Sequence, residues 1–269
     1  MNKTAIVLGV TANIGGGLCE RLLVDGWRVA GIGRDLERLR MLQGIPGLSL
    51  HRCDIESADS VRTLQEEMSK AGLKWDFFLS CVGTMEPIGK FFELDFEIWA
   101  HSIAVNFTAQ LRVLHGLWPL RQAEKNVDIM LLAGGGTNNP VTNYSAYSVS
   151  KIALIKMCEL LDDEEHSANI FILGPGYVNT RIHEETLRAG PKAAGSGYLK
   201  TLNFLEGPGT SIDEIYQHMC WCMGQGRDIA GGRNFSTVHD PWRGGGADLA
   251  KSLRKSRDAF RLRRHQIQD

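Results

Sequence analysis

Thr4-Ala5-Ile6-Val7-Leu8-Gly9-Val10-Thr11-Ala12-Asn13-Ile14-Gly15-Gly16-Gly17 joins an apolar run of strand length to a glycine-bearing turn. Downstream, Ile14, Leu18, Leu22 and Leu23 fall on one helical stripe, Gly26 stops it, and residues 28–32 form a second apolar run. A switch of period from strand to helix and back predicts a βαβ unit, hence parallel strands joined by a right-handed crossover. A turn placed between a strand and a helix N-terminus lets backbone N–H groups and the helix dipole face a pyrophosphate, and glycines let the backbone come close.

The alternation continues along the chain. A short helix is expected over residues 35–42, a strand over 48–53, a helix over 57–71 with Ser57 as N-cap, and a strand over 76–82. Phe96, Trp99, Ile103, Phe107, Leu111 and Leu114 predict one long helix over residues 95–120. Strands follow over 128–133, 168–173 and 233–238, with a helix over 212–223. The pattern predicts an α/β fold: a single Rossmann-like, doubly wound domain of about seven parallel strands. The domain is expected over residues 1–241, with segment 181–212 covering a substrate, followed by a basic tail over 242–269 that packs between subunits or stays solvated.

Composition narrows the partners. A net charge of -1 gives no general attraction to nucleic acid or to an anionic membrane, so a small molecule is the expected partner. The first apolar run is too short for a signal-peptide core or a membrane span, which places the expectation in the cytoplasm. Six cysteines are scattered through the predicted elements, as buried thiols are in a reducing compartment. Cys220-Trp221-Cys222 lacks a second Cys/His pair at finger spacing and reads as packing; no metal is expected.

Tyr147 and Lys151 are four residues apart, and on a helix they share a face. An ammonium beside a phenol favours the phenolate and moves it toward proton exchange with a carbonyl oxygen. Asn106, inside an apolar stretch, needs its amide satisfied. At the end of the second strand Gly33-Arg34-Asp35 offers Arg34 for a ribose 2'-phosphate, which favours NADP(H); Asp35 leaves NAD(H) as the alternative.

With Pro175-Gly176-Tyr177-Val178-Asn179-Thr180 added, these motifs resemble the short-chain dehydrogenase/reductase family. The resemblance implies a cofactor turn of Gly9, Thr11, Asn13, Ile14 and Gly15, with Asn13 where a glycine usually stands and tolerating a left-handed backbone in its place. It implies that Asp54, beside Ile55, meets the adenine, and that Gly83 lies by the ribose. Pro175, Gly176, Val178 and Thr180 would serve the nicotinamide side. Tyr147 becomes the acid/base, Lys151 its partner and a ribose ligand, and Asn106 the anchor of a water leading to Lys151. A homodimer or homotetramer would form through the long helix and the helix carrying Tyr147.

The resemblance breaks where relatives carry a catalytic serine, for Gly134 stands there. Loss of such a donor costs about 10² to 10³ in rate. Thr137 and Asn138 are the nearest substitutes, with Thr137 taken as the catalytic one, and His183 is the candidate substrate contact. Gly134-Gly135-Gly136 followed by Asn143-Tyr144-Ser145-Ala146-Tyr147 resembles a divergent branch that includes reductases of carbohydrate pathways. The implied function is NADP(H)-dependent hydride transfer to or from a carbonyl or secondary alcohol, such as a sugar or other polar ketone. The alternative is a nucleotide-binding sensor or regulatory subunit with weak turnover.

Overall fold

β1 (Thr4–Leu8) sends Ala5 and Val7 to one face of a sheet and Ile6 and Leu8 to the other, and all four are buried. A strand covered on both faces must be apolar throughout, which is why its sequence reads as an unbroken run. In the computed structural model, which describes residues 3–136 and 138–264, seven parallel strands pair in the order β3-β2-β1-β4-β5-β6-β7. They are β1, β2 (Arg28–Gly33), β3 (Leu48–Arg52), β4 (Phe77–Ser80), β5 (Val127–Leu132), β6 (Ala168–Gly174) and β7 (Asn234–Ser236). The order reverses between β1 and β4, so successive crossovers leave a crevice at the carboxyl ends of these strands.

Helices cover both faces. α1 (Asn13–Val24) follows β1; α2 (Leu36–Arg40) and α3 (Ala58–Lys70) flank β3. Ser57 accepts from Ser60 N as the cap of α3, as expected, and Asp35 caps α2 by accepting from Glu37 N and Arg38 N. The expected long helix is interrupted. α4 (Phe96–Ile103) passes into a π-helical turn over Ala104–Ala109 and then α5 (Gln110–Leu117). Buried Asn106 sits in that turn, where Gln110 Nε2 donates to its carbonyl oxygen, so a side chain serves a backbone group that the widened turn releases. After β5 come α6 (Ser145–Glu164), α7 (Ile182–Ala194), α8 (Ser196–Leu205), α9 (Ile212–Gln225), α10 (Arg227–Ala230) and α11 (Ala247–Lys255). Gly190, at φ 76, kinks α7 just before Pro191. No helix among the described residues is long and apolar enough to cross a membrane.

The described part of the basic tail folds back onto the domain. Trp242, Leu249, Ala250 and Leu253 enter the core on the α1/α9 side, and Arg261 and Arg263 pair with Glu159 and Asp162 of α6. Trp242 stacks on fully buried His218 at 4.5 Å, with the ring planes 5° apart. Burial, with the Arg243 cation nearby, holds the His218 pKa down at about 3, so the imidazole is neutral in the fold. The unfolded chain then binds the extra proton between its ordinary value near 6.5 and about 3, and stability falls as pH drops through that window. The expected slope is about 1.4 kcal/mol per pH unit. Urea midpoints measured from pH 7 to pH 4 should show this fall, and His218→Gln should flatten it.

Candidate active site

The turn after β1 is shaped by contacts that exclude side chains. Gly9 has φ +86, and a Cβ on it would lie 3.2 Å from the Cys81 carbonyl carbon; a Cβ on Gly15 would strike the Gly9 carbonyl oxygen. α1 and β4 therefore approach the turn at backbone distance. Ala12 precedes α1 without a side-chain cap, leaving first-turn N–H groups available to an anion. Asn13 is the first residue of α1 and not among the positive-φ residues, so the expectation that it relieves a left-handed backbone does not hold. Its Oδ1 instead accepts from Arg181 N at 3.5 Å, while Arg181 Nη2 donates to Thr11 O at 3.0 Å. Arg181 thus brackets the turn from the opposite lip of the crevice, a role that no sequence pattern marks.

At the end of β2 the exposed Arg34 guanidinium lies 3.9 Å from Glu56. Asp35 is occupied by its cap bonds and by Arg38 at 3.2 Å. Asp54 accepts from Glu56 N at 3.2 Å, and Arg112 pins the following backbone by donating to Ile55 O and Glu56 O, each at 2.9 Å. Thr11, Ile14, Gly33, Arg34, Arg38, Asp54 and Ile55 line one arm of a cleft of about 1780 Å³.

The other arm holds the proton-carrying groups. Lys151 Nζ lies 5.8 Å from the Tyr147 ring centroid and donates to Leu132 O at 3.0 Å and Val82 O at 3.4 Å. Burial lowers the Lys151 pKa to about 8. Tyr147 is pushed up to about 12, first by burial and then by the Glu185 carboxylate. The sequence expectation that Lys151 brings the phenol down is therefore reversed in this arrangement, because desolvation and a carboxylate both oppose the phenolate. Asn106 Oδ1 accepts from Thr84 N and its Nδ2 donates to Thr84 O, both at 2.8 Å, with a further bond to Ser102 Oγ at 3.2 Å. A Cβ on Gly83 would sit 3.3 Å from Asn106 Oδ1 and 3.5 Å from Lys151 Nζ, so Asn106, Gly83 and Lys151 form one packed group.

Gly134 explains its own departure from the family pattern. A Cβ there would lie 2.5 Å from the Tyr147 hydroxyl and 2.7 Å from its ring, so the phenol occupies the space that a serine side chain would need. Thr137, expected as the substitute donor, lies outside the described residues, while Asn138 lines the cleft.

The lid comes from β6 onward. Gly176, at φ +77, lies close against Val238 and Thr210, and buried Val178 and partly exposed Thr180 line the cleft beside Pro175. His183 packs at a tilt of 34° against Tyr177 at 4.2 Å, and Tyr177 stacks on Phe204 at 4.5 Å. His183 is thus part of an aromatic wall of the cleft. Glu185 on α7 reaches the loop after β4, where Oε2 accepts from Thr84 Oγ1 at 3.0 Å, Met85 N at 2.6 Å and Glu86 N at 3.3 Å. Tyr144 donates to Thr186 Oγ1 at 3.1 Å, and Asn143 Nδ2 to Ala193 O at 2.7 Å, closing α7 onto the crevice. Sequence reasoning missed Glu185, since one glutamate on a polar helix carries no local signal.

A sequence profile described as short chain dehydrogenase matches residues 3–190. Serine 3-dehydrogenase of Agrobacterium fabrum is 23% identical over 235 residues, covering 85% of this chain and 91% of its own. Benzil reductase ((S)-benzoin forming) of Saccharomyces cerevisiae is 25% identical over 197 residues, covering 69% of this chain and 75% of its own. Among solved structures, a short-chain dehydrogenase/reductase from Saccharomyces cerevisiae superimposes with a TM-score of 0.81 at 20% identity, over 93% of this chain and 99% of that one. An actinorhodin polyketide ketoreductase with NADPH gives 0.74 at 20% identity, over 87% and 95%.

The packing of Tyr147 on Gly134 has a direct consequence. Restoring the serine with Gly134→Ser should destabilise the protein by about 1–3 kcal/mol through overpacking and displace the phenol. Urea unfolding and turnover should both decline; a faster enzyme of unchanged stability would show that the site had room.

Proposed function

The chain belongs to the short-chain dehydrogenase family, whose members are NAD(P)-dependent oxidoreductases, and on that premise we propose that it reduces a polar ketone, such as a keto-sugar, with NADPH. The observation that carries this reading is the convergence, at the carboxyl ends of β1, β4 and β5, of a glycine-bearing turn with the Tyr147 hydroxyl and the Lys151 ammonium. Gly9, Thr11, Asn13, Ile14 and Gly15 would receive the pyrophosphate, Asp54 and Ile55 the adenine, and Pro175, Gly176, Val178 and Thr180 the nicotinamide end. The dinucleotide, when bound, supplies the hydride to the carbonyl carbon. Tyr147 supplies the proton to the carbonyl oxygen, which balances the reduction to an alcohol. Burial keeps the phenol in its neutral, proton-donating form. Lys151, fixed by Leu132 O and Val82 O, places a positive charge beneath the ring and offers its remaining N–H to a ribose hydroxyl. Asn106 supports this group through Thr84.

Preference for the 2'-phosphate rests on charge at the end of β2. Arg34 is exposed there and Arg38 is beside it, while Asp35, the carboxylate that would serve NAD(H), is used as a cap. The polar cleft wall with Glu86, Arg188 and Lys200 suits a hydroxylated substrate, in keeping with the resemblance to the triglycine branch. Exposed Phe96 and Ile98 on α4, and Val149 and Leu160 on α6, support a homodimer or homotetramer through those helices.

Fluorescence titration should give tighter binding of NADPH than of NADH, and Arg34→Ala should weaken NADPH by about tenfold with little effect on NADH. Equal effects on both nucleotides would remove the NADP(H) assignment. Alcohol oxidation, which requires the phenolate, should rise about tenfold per pH unit below about pH 8 and flatten above it as Lys151 loses its ammonium charge. Tyr147→Phe should abolish that slope and lower turnover by at least about 10²-fold.

A further inference from the structure

The carboxylate of Glu185 is used on one side only. Oε2 takes all three donors, from Thr84 Oγ1, Met85 N and Glu86 N, whereas Oε1 accepts no hydrogen bond among the described residues. All three donors are neutral. Three cations lining the cleft are engaged elsewhere, Lys151 with Leu132 O and Val82 O, Arg181 with Thr11 O, and Arg188 with Glu86 at 3.6 Å, and Lys200 forms no ion pair with Glu185. No ion pair forms to Glu185 among the described residues, although the group is half-buried and burial raises its pKa. It lines the same cleft as Tyr147 and bears on the phenol electrostatically.

A half-buried carboxylate without a cation is costly, and a ligand that brings one recovers the cost as a charge-assisted hydrogen bond. Resting on the hydride-transfer reading above, we propose that Glu185 is a specificity-determining residue whose Oε1 receives an ammonium group carried on the carbon next to the reacting one. The preferred substrate class is then an amino ketone or amino alcohol. A neutral hydroxyl at that position forms a weaker bond, and a methyl group leaves the carboxylate desolvated and unpaired. The three bonds to Oε2 hold the carboxylate still, so selection requires no rearrangement of α7.

The test uses three probes that differ only in that substituent: 1-amino-2-propanol, 1,2-propanediol and 2-butanol. Binding of each to the full chain saturated with NADP+ is measured by calorimetry. The amino alcohol should bind at least about tenfold more tightly than 2-butanol, with the diol between them. Glu185→Gln, which keeps an acceptor for the loop N–H groups, should bring the ratio close to one, while the charge-retaining Glu185→Asp keeps the amino alcohol first. Reading ratios cancels any general loss of binding. Equal binding by wild type, tightest binding of the diol, survival of the preference in Glu185→Gln, or identical behaviour of the two variants would each overturn the proposal. Nucleotide binding and turnover are read separately. Their absence counts against the hydride-transfer reading, whereas the probe ranking decides only the role of Glu185.

Discussion

The side chain of Asn106 pairs both ways with the backbone of Thr84, and most of the candidate site depends on that amide. It fixes the loop that leaves β4. From this loop Val82 O receives Lys151, Gly83 packs against Lys151 Nζ, and the Thr84 hydroxyl with the Met85 and Glu86 N–H groups receives Glu185. The amide is fully buried, so losing a partner would leave an unsatisfied polar group costing about 1–3 kcal/mol. A π-helical turn brings Asn106 to Thr84, and Gln110 completes the bonding by donating to the Asn106 carbonyl while accepting from Ser80 Oγ at 2.7 Å. The irregularity in the helix and the polar loop are therefore one construction.

The same packing sets the electrostatics. Lys151 is buried with its ammonium on two carbonyl oxygens, which preserve the charge that burial opposes. Tyr147 lies close against Gly134, where no side chain can intervene, and burial and Glu185 set its pKa. Glycine at position 134 is thus matched to the placement of the phenol. The lid contributes chemistry as well as cover, because α7 carries Glu185 and is fastened to α6 through Tyr144–Thr186 and to the preceding loop through Asn143.

At the far edge of the sheet the tail is tied in by an arginine that uses the backbone as its partner. Arg233 is buried and donates to Ile229 O, Leu253 O, Ser256 O and Ala259 O. These carbonyls come from the end of α10 and from the end of α11 and beyond, so one guanidinium joins segments that the sequence leaves far apart. Trp242 stacked on His218 does the same through aromatic contact. A basic composition suggests solvation, but here side chains of the tail complete the core.

The chain order of strands and helices, the all-parallel sheet and the glycine turn were legible in the sequence, because alternating apolar periods and glycines between them are local signals. The four-residue spacing of Tyr147 and Lys151 was legible for the same reason, as were the caps at Ser57 and the position of Asn106 in a helical stretch. Tertiary structure decided the rest: the π turn at Asn106, the use of Asn13 by Arg181, the high pKa of Tyr147, and the arrival of Glu185. Each depends on groups separated by tens of residues or more, or on how deeply a group is buried. Hydrophobic period fixes which face of an element turns inward, whereas desolvation and side-chain pairing depend on what the fold brings against that face.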